Sequence, residues 1–234
     1  MRALLLLALS FACAAVAAQP ILHLETEDDP PHNMLREGKV VGSSTEKLQE
    51  AFKRAGIALT VELVPWARAY DYALRAHGYC VYSTARTTER EALFDWIGPI
   101  DSMDWVMYGR ATSSNPPSSL ADVKDSLIGG YNQDVITVWL QAHHYNVDPV
   151  TSDASNPQKL RMQRVDLWAS SKPRATALLK GTAHDIVPLF TFGHTDLYLA
   201  CHAGTPPDLI RALNAALDEM RRDGSFERID AAYP

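Results

Sequence analysis

Two arginines follow a short apolar run that ends among hydroxyls. Cys80-Val81-Tyr82 leads into Ser83, Thr84, Ala85 and Arg86, with Arg90 four residues further on. A guanidinium presents its donors as a planar fork that matches a carboxylate. In open α/β sheets, ligands bind beyond the carboxyl ends of the strands, where such a fork and free backbone N–H groups converge. The competing reading is that both arginines are solvated charges at the start of a helix, the ordinary place for arginine. Three adjacent acids, Glu27-Asp28-Asp29, precede Pro30-Pro31. They could hold a cation or simply form a solvated turn. Trp66, directly after Pro65, could cover a ligand's ammonium with its ring or belong to the core. No metalloprotease, nucleophile-elbow or paired-cysteine spacing occurs among the eight histidines, the serines and the cysteines. The chain therefore presents no metal-ligating set, no cofactor motif and no catalytic constellation.

The elements that would position these residues alternate between strands and helices. Ser43 with Glu46 three residues on is a capping-box pattern. Leu48, Ala51, Phe52 and Ala55 form one apolar stripe before Gly56. Residues 60–64 read as a strand, 66–74 as a helix and 79–82 as a strand, an order that predicts a parallel sheet covered by helices. A second region repeats the scheme. A strand at 126–130 leads to the turn Tyr131-Asn132-Gln133-Asp134 and a helix carrying Val138, Trp139 and Leu140. Asn156-Pro157 starts another helix, 165–169 is an apolar strand, and Ser170-Ser171-Lys172-Pro173 opens a further helix. The last helix carries Leu209, Ile210, Leu213, Leu217 and Met220 on one face, with Thr205 as its expected cap.

Residues 1–18 read as a secretory signal: Arg2 supplies the charged start, residues 3–16 are apolar, and Ala15-Val16-Ala17-Ala18 offers small residues for cleavage. No other stretch reaches the roughly 18 apolar residues of a membrane span. The whole chain carries a formal charge of −6, and this acidic balance without a basic run argues against nucleic acid as a partner. Cys80 and Cys201 remain after cleavage, each in an expected strand. Two exported thiols either pair or serve as small buried hydrophobes.

The stretch from Tyr82 to Trp96 resembles the hydroxyl-and-arginine segment of the periplasmic solute-binding proteins of polar amino-acid ABC transporters, the bacterial extracellular solute-binding proteins of family 3. Other landmarks follow in that family's order: the acidic loop at residues 27–33, Gly38 to Gly42, Val64-Pro65-Trp66-Ala67-Arg68-Ala69, Arg164-Val165-Asp166, and Asp223-Gly224-Ser225-Phe226 before Tyr233. The resemblance implies an α/β, two-lobed, type II periplasmic-binding-protein-like fold, each lobe a mixed sheet flanked by helices. The lobes would be residues 19–106 with 196–234, and residues 107–195, joined by two hinge crossings near residues 104–109 and 193–198. The same topology could set Cys80 beside Cys201 as a disulfide.

By the same resemblance Arg90 matches the arginine that grips a ligand carboxylate, whereas Arg86 stands where many members carry an apolar residue. Ser83 and Ala85 match positions offering hydroxyl or main-chain groups. Trp66 matches a covering aromatic, and Glu27 lies where a side chain meets the ligand's amino group or tail. Tyr131, Asn132 and Asp134 fall on the second lobe's clamping turn. Ser170 and Ser171 fall where amino-acid binders place an acid for the ammonium, and that acid is missing here. Either the 27–29 acids replace it, or the ligand is no standard α-amino acid, because a buried ammonium without a partner is costly.

The leading expectation is a non-enzymatic, monomeric periplasmic protein that closes on a small polar, carboxylate-bearing solute and delivers it to an inner-membrane ABC permease. An alternative is an enzyme like the cyclohexadienyl dehydratases on the same fold, with Glu27 as candidate acid; turnover of prephenate or arogenate separates it. A third is a sensory or interaction protein with a degenerate cleft, which no solute would stabilise.

Overall fold

The computed structural model describes residues 21–182 and 184–233. The signal reading of residues 1–18 lies outside the described residues. The chain runs β1 (Leu22–Thr26), β2 (Met34–Arg36), β3 (Lys39–Val41), α1 (Ser43–Ala55), β4 (Leu59–Leu63), α2 (Trp66–Arg75), β5 (Tyr79–Ala85) and β6 (Phe94–Arg110). It continues with β7 (Leu127–Tyr131), α3 (Val135–Ala142), β8 (Asn146–Val150), α4 (Asn156–Arg161), β9 (Leu167–Ser171), α5 (Lys172–Leu179), β10 (Ile186–His202), α6 (Pro207–Arg222) and α7 (Ser225–Asp230).

Eight strands form one mixed sheet in the order β4-β1-β5-β10-β6-β9-β7-β8. The β1 pairings to β4 and β5 are parallel, as are the β7 pairings to β8 and β9. The crossover helices between them are what a parallel pair requires. In place of two separate sheets, the lobes share β6 and β10, which pair antiparallel from Ile186 opposite Arg110 to His202 opposite Phe94. The segments expected as hinge crossings therefore lie inside these two long strands, whose register shifts between Thr191 and Gly193 and between Leu197 and Leu199.

Each lobe has its own core. In the first, Leu48 and Phe52 of α1 and Leu213, Leu217 and Met220 of α6 pack on Leu22, Leu24, Tyr82 and Ile97 of the sheet. Burying one such side chain contributes about 1.5–3 kcal/mol, so the periodic stripes of both helices fix how they lie on the sheet. In the second lobe, Val123, Ile128, Ile136, Leu140 and Leu167 form the equivalent core. Cys80 and Cys201 face each other across β5 and β10 and are disulfide-bonded at a sequence separation of 121.

Two expected caps are used differently. Ser43 does not cap α1; Gly42 occupies the N-cap position, and the Ser43 hydroxyl donates to Asp101 at 2.7 Å. Thr205 does not cap α6 either, because its hydroxyl donates to the His202 carbonyl at 2.8 Å. At Ser43 a tertiary carboxylate, and at Thr205 the local backbone three residues back, takes the short hydroxyl that would otherwise cap the helix.

Candidate functional site

A cavity opens where the carboxyl ends of β1 and β5 meet β7 and the first turns of α2, α3 and α5. Its wall includes Glu27, Asp29, Asn33, Trp66, Ser83, Ala85, Arg90, Tyr131, Asp134 and Arg174. Its volume is about 20 Å³, little more than one water needs.

Arg90 is placed by the turn that ends β5. Its backbone N–H donates to the Thr87 carbonyl at 3.0 Å, and its Nη1 returns to the Ala85 carbonyl at 3.3 Å. The guanidinium carbon sits 5.9 Å from the Trp66 ring centroid and 5.3 Å from that of Tyr70, within range of cation–π attraction. Among the described residues no carboxylate lies within ion-pair distance of Arg90, so its charge faces the cavity without an anion. Ser83 takes the left-handed conformation (φ 56°) and donates to Asn33 Oδ1 at 2.5 Å. The Asn33 amide in turn donates to the Glu27 carbonyl.

The opposite wall is acidic and centred on a nearly buried arginine. Arg174 Nε donates to Asp29 Oδ1 at 2.8 Å and Nη2 to Glu27 Oε1 at 3.1 Å, while Nη1 lies 3.8 Å from Asp134 Oδ1. The guanidinium also covers the Tyr131 ring at 5.0 Å, and the Tyr131 hydroxyl donates to Glu27 Oε2 at 2.6 Å. Burial pushes the Glu27 carboxyl up to about 7; Arg174 opposes that rise, and the Asp29 charge reinforces it. Burial likewise raises Asp134, which caps α3 by accepting from the Ile136 N–H at 3.1 Å. For Arg174, burial works against the charge, but the surrounding carboxylates outweigh it and hold the proton more firmly than usual.

The loop that carries Glu27, Asp29 and Asn33 is anchored from below. His32 Nδ1 lies 3.0 Å from Asp101 Oδ2, and the Ser43 and Ser44 hydroxyls and Lys47 Nζ converge on the same oxygen. Gly42 permits this approach: its φ is +134°, and a Cβ there would stand 2.3 Å from the His32 carbonyl oxygen.

Of the residues singled out from sequence, Glu27, Trp66, Ser83, Ala85, Arg90, Tyr131 and Asp134 share the cavity wall. Four others lie outside it. Arg86 forms a bidentate pair with Glu91 at 2.5 and 2.7 Å and lies over Trp96 and Tyr198. Asn132 is exposed, its backbone N–H donating to the Val150 carbonyl at 2.9 Å. Ser170 donates to buried Asp153 at 2.7 Å, and Ser171 caps α5 by accepting from the Arg174 N–H at 3.3 Å. Asp29 belongs to the acidic trio, and the structure makes it a buried ion-pair partner where a solvated turn was the competing reading. Asn33 and Arg174 were not singled out. The available signal for Arg174 was its place one turn into the helix opened by Ser171-Lys172-Pro173, beside the position where the family's acid is missing.

The sequence profile of the bacterial extracellular solute-binding proteins, family 3, matches residues 22–233. Among solved structures, a histidine kinase sensor domain with similarity to periplasmic binding proteins superposes with a TM-score of 0.84 at 15% identity, over 92% of this chain and 96% of that one. An ancestral arginine-binding protein bound to arginine gives 0.80 at 20% identity, over 92% and 98%. An ancestral amino-acid-binding protein described as a precursor of cyclohexadienyl dehydratase gives 0.78 at 17%, over 92% and 95%. A comparison with curated protein sequences found no significant match. Among the described residues no helix is long and apolar enough to cross a membrane.

Proposed function

Because the chain belongs to the bacterial extracellular solute-binding proteins of family 3, we propose that it is a periplasmic receptor that closes on a small carboxylate-bearing solute. It would act as a monomer and deliver the solute to an inner-membrane ABC permease. The observation that carries this reading is Arg90: a guanidinium at a strand end, on the wall of the cleft, backed by two aromatic rings and, among the described residues, paired with no carboxylate. A solute carboxylate on that fork would form the strongest polar contact the first lobe can offer. In this reading residues 19–106 with 196–234 form the lobe that receives the carboxylate, and residues 107–195 close over it.

The test is a thermal-shift panel of small carboxylates on the signal-free protein. A ligand at about a hundred times its dissociation constant stabilises by about 2.7 kcal/mol, so a true solute is read as a clear rise in melting temperature. The same rise in an Arg90→Ala variant would sink the assignment of the carboxylate to Arg90.

One observation favours a second reading. Glu27 faces the cavity with its carboxyl pushed up to about 7, the state a general acid needs near neutral pH. A dehydratase would use such a group to protonate a leaving hydroxyl. Incubation with prephenate or arogenate decides it: loss of substrate that disappears in Glu27→Gln supports the enzyme, and unchanged substrate removes it.

A further inference from the structure

The acidic side of the cleft is filled by the protein itself. Arg174 belongs to the second lobe, on the first turn of α5. Its two best ion-pair partners, Asp29 at 2.8 Å and Glu27 at 3.1 Å, belong to the first. Tyr131 makes a second crossing to Glu27 at 2.6 Å. A planar cation held by carboxylates along its edge and covered by an aromatic ring is how a receptor would hold a solute's guanidinium or ammonium. Arg90, on the same cavity wall, is the complementary anion-binding group. With Arg174 in this position the remaining space is about 20 Å³.

We propose that Arg174 is an internal ligand: its guanidinium takes the cation position of the cleft and holds the two lobes together without a solute. A solute that brings its own ammonium or guanidinium has to displace it. The proposal rests on reading this cleft as the solute site, but it concerns closure, and its test uses no solute. A tethered group competes at an effective concentration in the millimolar range, so Arg174 discriminates against weak cationic solutes and leaves a purely anionic one unopposed.

The groups facing Glu27 set how this closure responds to acid. They are Arg174 of α5, Tyr131 at the end of β7, Asp134 at the start of α3, and Asp29 in its own loop. Arg90 shares the cavity wall. Burial raises Glu27 in the closed form, so closing takes up a proton and is favoured as pH falls through about 7 toward the ordinary carboxylate range.

Small-angle scattering on dialysed wild type, Arg174→Ala and Arg174→Met at pH 6 tests the proposal, each with millimolar guanidinium chloride or an equal concentration of sodium chloride. Millimolar guanidinium is far below denaturing levels. Both variants are expected to show a larger radius of gyration than wild type, and to return to the wild-type value in guanidinium but not in sodium chloride. Variants as compact as wild type in sodium chloride would overturn the proposal, and so would open variants that guanidinium fails to close. If neither variant folds by circular dichroism, Asp29→Asn decides it, since Arg174 then keeps its place and loses its shortest ionic contact. That variant must expand, and an unchanged radius overturns the proposal. Failure of the solute reading itself is seen elsewhere, in Arg90→Ala, which leaves the Arg174 contacts intact.

Discussion

Two buried charge clusters, each centred on one ion shared among several partners, behave in opposite ways. Around Asp101, one carboxylate receives His32, Lys47, Ser43 and Ser44, all from the first lobe. Burial pushes Asp101 up, but the His32 hydrogen bond and charge, Lys47 and Ser43 outweigh it and leave the carboxyl well below its usual range. Around Arg174, one cation is shared by three carboxylates drawn from both lobes, and burial leaves Glu27 and Asp134 raised. An excess of donors fixes a carboxylate in its charged form, and an excess of acids leaves protons free to come and go. The first cluster is therefore a brace within one lobe. The second spans the two proposed lobes, and its raised acids make it the cluster that responds to pH.

The largest effect that would separate the two is expected from Asp101→Ala. Removing one partner of a buried charge pair costs about 3–5 kcal/mol, and here the loss falls on His32, since Lys47 keeps Asp230 at 2.6 Å. Urea unfolding should show that loss, with the midpoint lowered at an unchanged slope. A change of only a few tenths of a kcal/mol would mean that the 27–33 loop is anchored by something other than Asp101.

Next in size is the contrast between the two arginines that follow β5. With an identified solute, Arg90→Ala should weaken binding by about 2–5 kcal/mol, a loss of roughly 30-fold or more. Arg86→Ala should leave binding within a few-fold and stability within about 1 kcal/mol, since its pairing with Glu91 is an exposed ion pair. Calorimetry on both variants checks this, and a reversed order would overturn the assignment to Arg90 and place the anion site at Arg86.

The same contrast shows what the sequence made legible. The stripes of α1 and α6 and the alternation of strands and helices are periodic signals, so most elements are readable within a few residues. The strand expected at 79–82 runs on to Ala85, because its last residues pair with β10, a contact remote in sequence. The family resemblance pointed to Arg90 by its interval from the strand, and the structure sets it on the cavity wall. Arg174 was not legible, because a helical arginine is ordinarily solvated, and it is held in place by carboxylates from two segments distant in sequence, Glu27 and Asp29 in one loop and Asp134 in another. The burial of Asp29 was hidden for the same reason. The 27–29 run reads as a polar turn until α5 is brought against it.

The smallest expected effect is the pH response of the cleft cluster, isolated by Glu27→Gln. The Glu27 carboxyl is raised from an ordinary value of 4.5 to about 7 in the closed fold. Its proton-linked contribution to stability is therefore fully present below about 4.5 and is lost as pH rises through about 7. His32 titrates in the same direction: burial lowers it, but the Asp101 hydrogen bond and charge outweigh that, and its net shift is upward. A falling melting temperature from pH 5 to pH 8 in wild type alone would not distinguish the two clusters. The difference between the wild-type and Glu27→Gln curves does, because the His32 contribution is common to both. That difference should shrink in wild type's disfavour as pH rises from 5 to 8, the amide having no proton to lose. Parallel curves would show that Glu27 keeps its ordinary titration, and the cleft would then be held by charge pairing alone, as Asp101 is.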